Sequence, residues 1–388
     1  MGTRRELLTR SIRVGGCVLV AVCVLSTLLA APAYAACSPP AAGEDGWSVA
    51  APESVGLDGD KLCALVAKFA EWKAANIHGV VVARHGKLAF EHYFRGYDLK
   101  ARTSARFVDF NATTTHDLRS MTKSVTALVL GAAIDRGLVQ DVDRSVLSFF
   151  PDYADLRSPE KDLVSVRHLL TMSMGLAWDD NAPYTNEIAM FMSPDPYRYV
   201  LSQPVVEPPG TTWNYSGGAT ALIGGILTRA TGKRFDELAA AVLLEPLGIS
   251  DVDWTQMPNG DVVDWCCFWM RPRDMAKIGQ LVLDRGRWQG TRVVSEAWVD
   301  AAIAPHIKRP RGGAYGYQFW TGTASVAGRQ VDWAAATGQG GQRILIVPAL
   351  DLVAVVTAGH YYDDERLSRD VPNTVLFEYV LPSVDPTR

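Results

Sequence analysis

Between Leu118 and Ile134 the chain offers almost no polar face. Met121, Val125, Ala127, Leu128, Val129, Leu130, Ala132, Ala133 and Ile134 surround the helical axis with apolar groups. A helix apolar on all sides belongs inside a large core, so the rest of the chain must fold around it. Asp117 reads as its N-cap and Gly137 as its stop. At its head stand Ser120-Met121-Thr122-Lys123, and positions i and i+3 share one helical face. A serine alcohol is a poor nucleophile until a neighbouring base takes its proton. Lys123 becomes that base if burial depresses its pKa, and a helix N-terminus also disfavours a cation. A solvated surface lysine does not belong at the head of such a helix. A second Ser-x-x-Lys, Ser158 to Lys161, sits in a charged, loop-like stretch and reads as a chance match.

The rest of the chain can supply that core. It has 388 residues, 48% of them hydrophobic and 21% charged, which excludes a disordered or collagen-like chain. The formal charge of −4 advertises no nucleic-acid surface. Residues 1–35 read as a signal peptide: Arg4, Arg5, Arg10 and Arg13 precede an apolar run from Val14 to Ala30, and Ala33-Tyr34-Ala35 supplies a cleavage pattern. Arg4-Arg5 hints at twin-arginine export. Cys37 is a weaker candidate for lipidation, because Tyr34 stands where a small aliphatic residue is expected. Removing 1–35 takes away four Arg and one Glu and moves the charge from −4 to −7. The expected product is exported, periplasmic or secreted, without stable membrane insertion. Cys37, Cys63, Cys266 and Cys267 remain and allow three complete pairings. They show no metal-ligand spacing, so neither metal nor cofactor is expected.

Residues 36–50 read as a leader. Asp58 to Ala75 has helical spacing, and Gly79–Arg84 with Lys87–Phe94 reads as a hairpin turning at His85-Gly86. Further helical patterns cover Val166–Thr171, Ala219–Ala230, Phe235–Leu244, Arg273–Leu283 and Ser295–Ile303. Strand patterns return at Gln330–Ala335, Gln342–Val347 and Leu352–Thr357, before a last helix over Val371–Leu381. The economical architecture is α+β: an antiparallel sheet built from both chain ends (51–115 with 305–388), flanked by helices, with a mainly helical region inserted at 116–304.

Two further segments suit chemistry at Ser120. Tyr215-Ser216-Gly217 follows a turn-rich loop and precedes an apolar helix. A phenol beside an ammonium passes protons readily. Thr337-Gly338-Gln339-Gly340-Gly341 ends a strand, where glycines admit a substrate to the backbone. A free amide there, with that of Ser120, makes an oxyanion hole. Asp179, Asp180 and Tyr184 read as surface loop ahead of the alternative, a border of the pocket, and His360, which closes the last strand, reads equally as facing the site or as a turn histidine. The adjacent Cys266 and Cys267 read as structural.

In this order, Ser-x-x-Lys, the tyrosine motif and the strand Thr-Gly resemble the serine β-lactamase and penicillin-binding-protein superfamily of the class C type. The likeness points toward 6-aminohexanoate-dimer hydrolases and esterases of that fold. It extends over about residues 50–380, through Val166–Leu176, Asn214–Gly218, Glu245–Ile249, Arg273–Gly279 and Gly341–Pro348. The resemblance implies a β-lactamase/transpeptidase-like fold in one catalytic domain, 51–382. It makes Ser120 the acylated nucleophile, Lys123 its activator and Tyr215 a general base and acid, with either able to take the first proton. The amides of Ser120 and Gln339 would hold the oxyanion. Apart from the resemblance, Gly338, Gly340, Tyr184 and His360 are candidate substrate contacts by the reading of the residues themselves. Two departures stand out: Ala336 replaces the Lys or His usual before Thr-Gly in lactam-recognising members, and Gly217 replaces their Asn. Losing a charge-assisted contact costs about 1.5–3 kcal/mol. The expectation is therefore a serine hydrolase acting on a small carboxylic ester or linear amide. A β-lactamase or D-Ala-D-Ala carboxypeptidase, and a non-catalytic sensor, are the rival readings.

Overall fold

A computed structural model describes residues 39–98, 106–180, 185–361 and 365–385. Both ends of the chain meet in one nine-stranded sheet. The N-terminal part supplies β1 (Ile77–Arg84) and β2 (Lys87–Tyr93), joined at His85-Gly86, where both residues have positive φ as a tight hairpin turn requires. The C-terminal part supplies β3 (Trp320–Val326), β4 (Arg329–Gly338), β5 (Gln342–Val347) and β6 (Leu352–Ala358). β6 pairs antiparallel with β1, Val355 opposite Val81, so the order runs β2-β1-β6-β5-β4-β3. Ala314–Tyr315 and Ile307–Lys308 extend one edge. Ser48–Val49 extends the other, as the one parallel pairing of this sheet among the described residues. Part of the segment read as a leader is thus structural, and Trp47 is buried with its indole N–H donating to the Arg273 carbonyl.

Every residue of β1 and β6 is buried. Both faces of the sheet centre are covered, which is why these strands are continuous Val-rich runs rather than alternating ones. Val81, Ala83, Val353 and Val355 face the helical region, while Val80, Val82, Ala354 and Val356 pack toward Leu62, Leu65 and Phe69 of α1 (Gly59–Glu71). On the helical side, α2 (Thr122–Asp135) is buried from Thr122 through Ala133. Its few polar groups are satisfied: Ser124 Oγ donates to the Gln318 carbonyl and Thr126 Oγ1 to the Asp264 carbonyl, each at 2.6 Å. α3 (Gly217–Thr231) packs beside it, capped by the Ser216 hydroxyl on the Ala219 amide. α4 (Pro272–Leu283) lies across β5 and β6, where Gly279 lets it approach the side chains of Val353 and Ile344.

Two local expectations change. Asp117 does not cap α2. It lies in a short strand and turns its carboxylate to the Arg119 amide (2.8 Å) and guanidinium (3.1 Å). A 3₁₀ turn, Arg119–Met121, leads into the helix instead, because Arg119 adopts φ +49. The last helix is composite: α5 (Glu365–Asn373) contains Pro372, which has no N–H to give, and the chain continues as wider π turns over Thr374–Val380.

Beneath the short strand His116–Asp117 lies a buried imidazole pair, His78 Nδ1 to His116 Nε2 at 2.7 Å. Burial first, and His116 second, hold His78 well below the ordinary histidine pKa. The unfolded chain takes up this proton below about pH 6.5 and folded His78 does not, so acid favours unfolding. The expected outcome is full stability above about pH 7 and a falling thermal midpoint below about pH 6.5. A midpoint-against-pH series should show a shallower acid slope for His78→Gln. Equal slopes would exclude His78 as the source.

Candidate active site

The turn that ends in α2 sets the site. With Arg119 in the left-handed region, Ser120 stands at the mouth of the helix rather than inside it. Such a conformation costs a non-glycine residue about 1–3 kcal/mol and persists only when its surroundings hold it. The Asp117 carboxylate and the Tyr361 ring, 4.4 Å from the Arg119 guanidinium carbon, supply that hold. Lys123, 1% exposed, donates to Ser120 Oγ at 3.2 Å and to the Trp265 carbonyl at 2.9 Å. Its Nζ also lies 5.0 Å from the centre of the Tyr215 ring. Tyr215 precedes the Ser216 cap of α3 and packs between Trp213 and Trp320, 6.1 and 5.9 Å away between ring centres. The three residues expected to carry chemistry are therefore brought together from two helix heads.

The sign of the lysine shift is the reverse of the expectation. Burial pulls the Lys123 pKa down, but Tyr215, Glu187, Cys266 and Asp180 more than offset it and hold Lys123 above the ordinary lysine value. Two of these neighbours escaped the sequence reading. Asp180, read as part of a surface loop, turns inward and accepts from the Gly217 amide (3.1 Å) and the Trp178 indole (2.6 Å). Burial, then Glu187, raises its pKa to about 6 against the pull of Lys123. Glu187 accepts from the Trp265 indole at 2.8 Å, so Trp265 bridges it to Lys123. The only hint in the sequence was Gly217. A Cβ there would meet Glu187 Oε2 and the Trp265 ring at 3.2 Å.

β4 delivers the third part. A Cβ on Gly338 would lie 2.3 Å from the Leu118 carbonyl oxygen and 3.0 Å from the Arg119 side chain. Glycine is thus what lets the strand end close on the nucleophile's turn, leaving the exposed Gln339 next in line. Gly340 is likewise a packing position: its N–H donates to Ser368 Oγ at 2.9 Å, and a Cβ would strike the Tyr361 ring. Neither glycine needs a substrate to explain it. His360 is a correction: only 3% exposed, its Nε2 lies 2.6 Å from the Ala75 carbonyl oxygen, in the core rather than the cleft. Its chain pairs with Gly340, which is why it lies near the site in sequence terms without facing it. Tyr184 lies outside the described residues. Ala336 is buried on the helical side of the sheet. Cys63 is disulfide-bonded, whereas Cys266 and Cys267 are free. Among the described residues no group of three or more His, Cys, Asp or Glu is placed to hold a metal ion. No helix among them is long and apolar enough to cross a membrane.

A serine at a helix mouth, a buried lysine on its oxygen, a tyrosine over that lysine and a closing strand together define the β-lactamase class of fold and site. The chain belongs to the Beta-lactamase family, whose model matches residues 65–375. Members of that family are serine hydrolases, esterases and amidases among them. Esterase EstB of Burkholderia gladioli is 31% identical over 185 residues, 44% of this chain and 45% of that esterase; the chain thus matches about half of its length. The 6-aminohexanoate-dimer hydrolase of Paenarthrobacter ureafaciens is 26% identical over 294 residues, 68% of this chain and 71% of that enzyme. In structure, an octameric penicillin-binding protein homologue from Pyrococcus abyssi matches with a TM-score of 0.61 at 20% identity, over 84% of this chain and 79% of that one. That likeness shows the fold.

Placing a methyl group at the junction of β4 and the nucleophile's turn forces backbone apart. Gly338→Ala should lower stability by about 1–3 kcal/mol in a denaturant titration, because its nearest contact is a carbonyl that cannot rotate away. An unchanged midpoint would mean that β4 does not close on Ser120 as described.

Proposed function

We propose that the chain is an exported serine hydrolase that forms an acyl-enzyme on Ser120 and releases a carboxylic acid from an ester or linear amide. The observation that carries this is the 3.2 Å contact from Lys123 Nζ to Ser120 Oγ, with the ammonium buried beneath Tyr215. Because the carboxylates and Tyr215 keep Lys123 charged, the lysine is poorly suited to accept the first proton. The Tyr215 phenolate, its charge balanced by the adjacent Lys123 ammonium, takes that proton and becomes a neutral phenol. Ser120 Oγ adds to the substrate carbonyl, and the amides of Ser120 and Gln339 receive the oxyanion. Collapse expels the alcohol or amine with the proton from Tyr215. Water, deprotonated by the same tyrosine, then adds to the acyl-serine and frees the acid. Export is supported by the N-terminal arginines, apolar run and Ala-Tyr-Ala pattern.

The preference for esters or linear amides over lactams rests on Ala336 and Gly217. The first is buried and chargeless, and the second opens onto Glu187 rather than supplying an amide. The relatives named as an esterase and as a 6-aminohexanoate-dimer hydrolase support the same choice.

The test is a turnover panel on the protein and its Ser120→Ala variant. It holds p-nitrophenyl acetate and butyrate, the linear 6-aminohexanoate dimer, nitrocefin and a D-Ala-D-Ala peptide. Ester or linear-amide turnover should vanish in Ser120→Ala while the thermal midpoint stays within a few degrees, since one small side chain at a cleft contributes little to folding. Full activity in Ser120→Ala would sink the mechanism. Efficient nitrocefin turnover would transfer the chain to the β-lactamase reading.

A further inference from the structure

Cys266 and Cys267 are the only free thiols among the described residues, since Cys63 is already disulfide-bonded. They are adjacent in the chain, each is half-buried, and their side chains are in hydrogen-bonding contact. Cys267 holds φ +60, a left-handed conformation that a residue with a Cβ seldom adopts. Its carbonyl accepts from the Thr255 amide at 3.1 Å, which fixes the turn from the other side. No step proposed for Ser120 uses either sulfur.

The pair stands between two holds on the active site. One residue before it, the Trp265 carbonyl accepts from Lys123 Nζ at 2.9 Å, and the Trp265 indole donates to Glu187. One residue after it, the Phe268 carbonyl accepts from the Leu118 amide at 2.8 Å, and the strand Phe268–Met270 pairs with His116 and Asp117. Leu118 leads directly into the turn that presents Ser120. A change in the Cys266–Cys267 peptide therefore reaches the lysine through one neighbour and the nucleophile's turn through the other. Cys266 is also close enough to Lys123 and Glu187 for each to act on its thiol.

A bond between adjacent cysteines closes a small ring through the peptide that joins them. Consecutive Cα atoms are about 3.8 Å apart, whereas disulfides usually span about 4.4–6.8 Å. Such a ring is strained, and strained disulfides are the readily reduced, regulatory ones. Closing it also restricts ψ of Cys266 and φ of Cys267. Those torsions set how the segment carrying the Trp265 carbonyl is aimed relative to the segment carrying that of Phe268.

We propose that Cys266 and Cys267 form a reversible disulfide with each other that switches the active site, the dithiol being the active form and the disulfide the weakened one. The oxidant is a low-molecular-weight disulfide of the glutathione kind. Contact with Cys267, and then burial, holds the Cys266 thiol well above the ordinary thiol pKa, so Cys267 reacts first. Its thiolate attacks one sulfur of the oxidant and expels the first thiolate with the bonding electron pair. Cys266, deprotonated, then attacks the Cys267 sulfur of the mixed disulfide and expels the second. The two cysteines are oxidised and the oxidant is reduced to two thiols, which take up the two protons the cysteines give. The loss of activity rests on the acyl-transfer reading of Ser120; formation of the bond does not.

The test treats the full chain with oxidised glutathione and follows bond and activity together. Alkylation with iodoacetamide and digestion with trypsin isolate a fragment, residues 235–273, that holds both thiols and no other cysteine. From the reduced protein it should carry two alkyl groups. After oxidation it should carry none and weigh two hydrogens less than the unmodified fragment. kcat/KM for p-nitrophenyl butyrate should fall at least fivefold as that fragment accumulates, and return with reduced glutathione. Cys267→Ser, which retains the Cys63 disulfide, should keep wild-type activity within about twofold both before and after the oxidant. A fragment that keeps both alkyl groups, or that gains the mass of glutathione in place of the internal bond, overturns the proposal. So does a disulfide that leaves kcat/KM unchanged, or an equal loss of activity in Cys267→Ser. A failure of the acyl-transfer reading is recognised separately, as turnover that persists in Ser120→Ala or is absent for every ester. Hydrogen exchange at the Leu118 amide then decides: faster exchange in the oxidised than in the reduced protein supports the switch, and equal or slower exchange removes it.

Discussion

The structure turns on one ammonium group placed where water cannot reach it. Lys123 lies at the head of a helix that is buried from Thr122 through Ala133, and a charge there is tolerable only if every side of it is answered. The Ser120 hydroxyl and the Trp265 carbonyl accept its hydrogens, the Tyr215 ring lies against it, and Asp180 and Glu187 surround it at longer range. Each of these groups comes from a different segment. The helical region must therefore assemble as a whole before the lysine can be buried, and the nucleophile is set by the same event. Fold and site are in this sense one electrostatic solution.

The sheet makes the second demand. Its centre pairs a strand from the start of the chain with one from the end, both buried on both faces, so the helical insertion is clamped between elements that are far apart in sequence. Closing β4 onto the nucleophile's turn requires a glycine at 338 and a left-handed Arg119, two backbone features that serve one contact. The Asp117–Arg119 ion pair and Tyr361 hold that turn from outside the helix, which is why Asp117 is better used there than as a cap.

Much of the site was legible along the chain because its parts announce themselves locally. Ser120 and Lys123 share a helix face, Tyr215 sits beside a cap, and Gly338 ends a strand. What was not legible depends on folding direction. Asp180 reads as loop until the chain turns it toward the Gly217 amide, and Glu187 sits in a short helix with no pattern of its own. The lysine shift was read with the wrong sign, because burial is visible in apolar spacing whereas the compensating carboxylates are not. His360 was placed by its nearness to the last strand, yet its imidazole turns to the Ala75 carbonyl.

The amino-acid sequence by itself determined the fully buried helix, the serine and lysine one turn apart at its head, the strand-forming runs at both chain ends and the glycines that let them close. These are consequences of side-chain spacing, which is a property of the chain. Only the tertiary structure decided which charges surround Lys123 and that His360 belongs to the core. Those are questions of what lies across a gap from what. A Coulomb interaction depends on distance and on the exclusion of water, and neither exists until segments hundreds of residues apart are packed together.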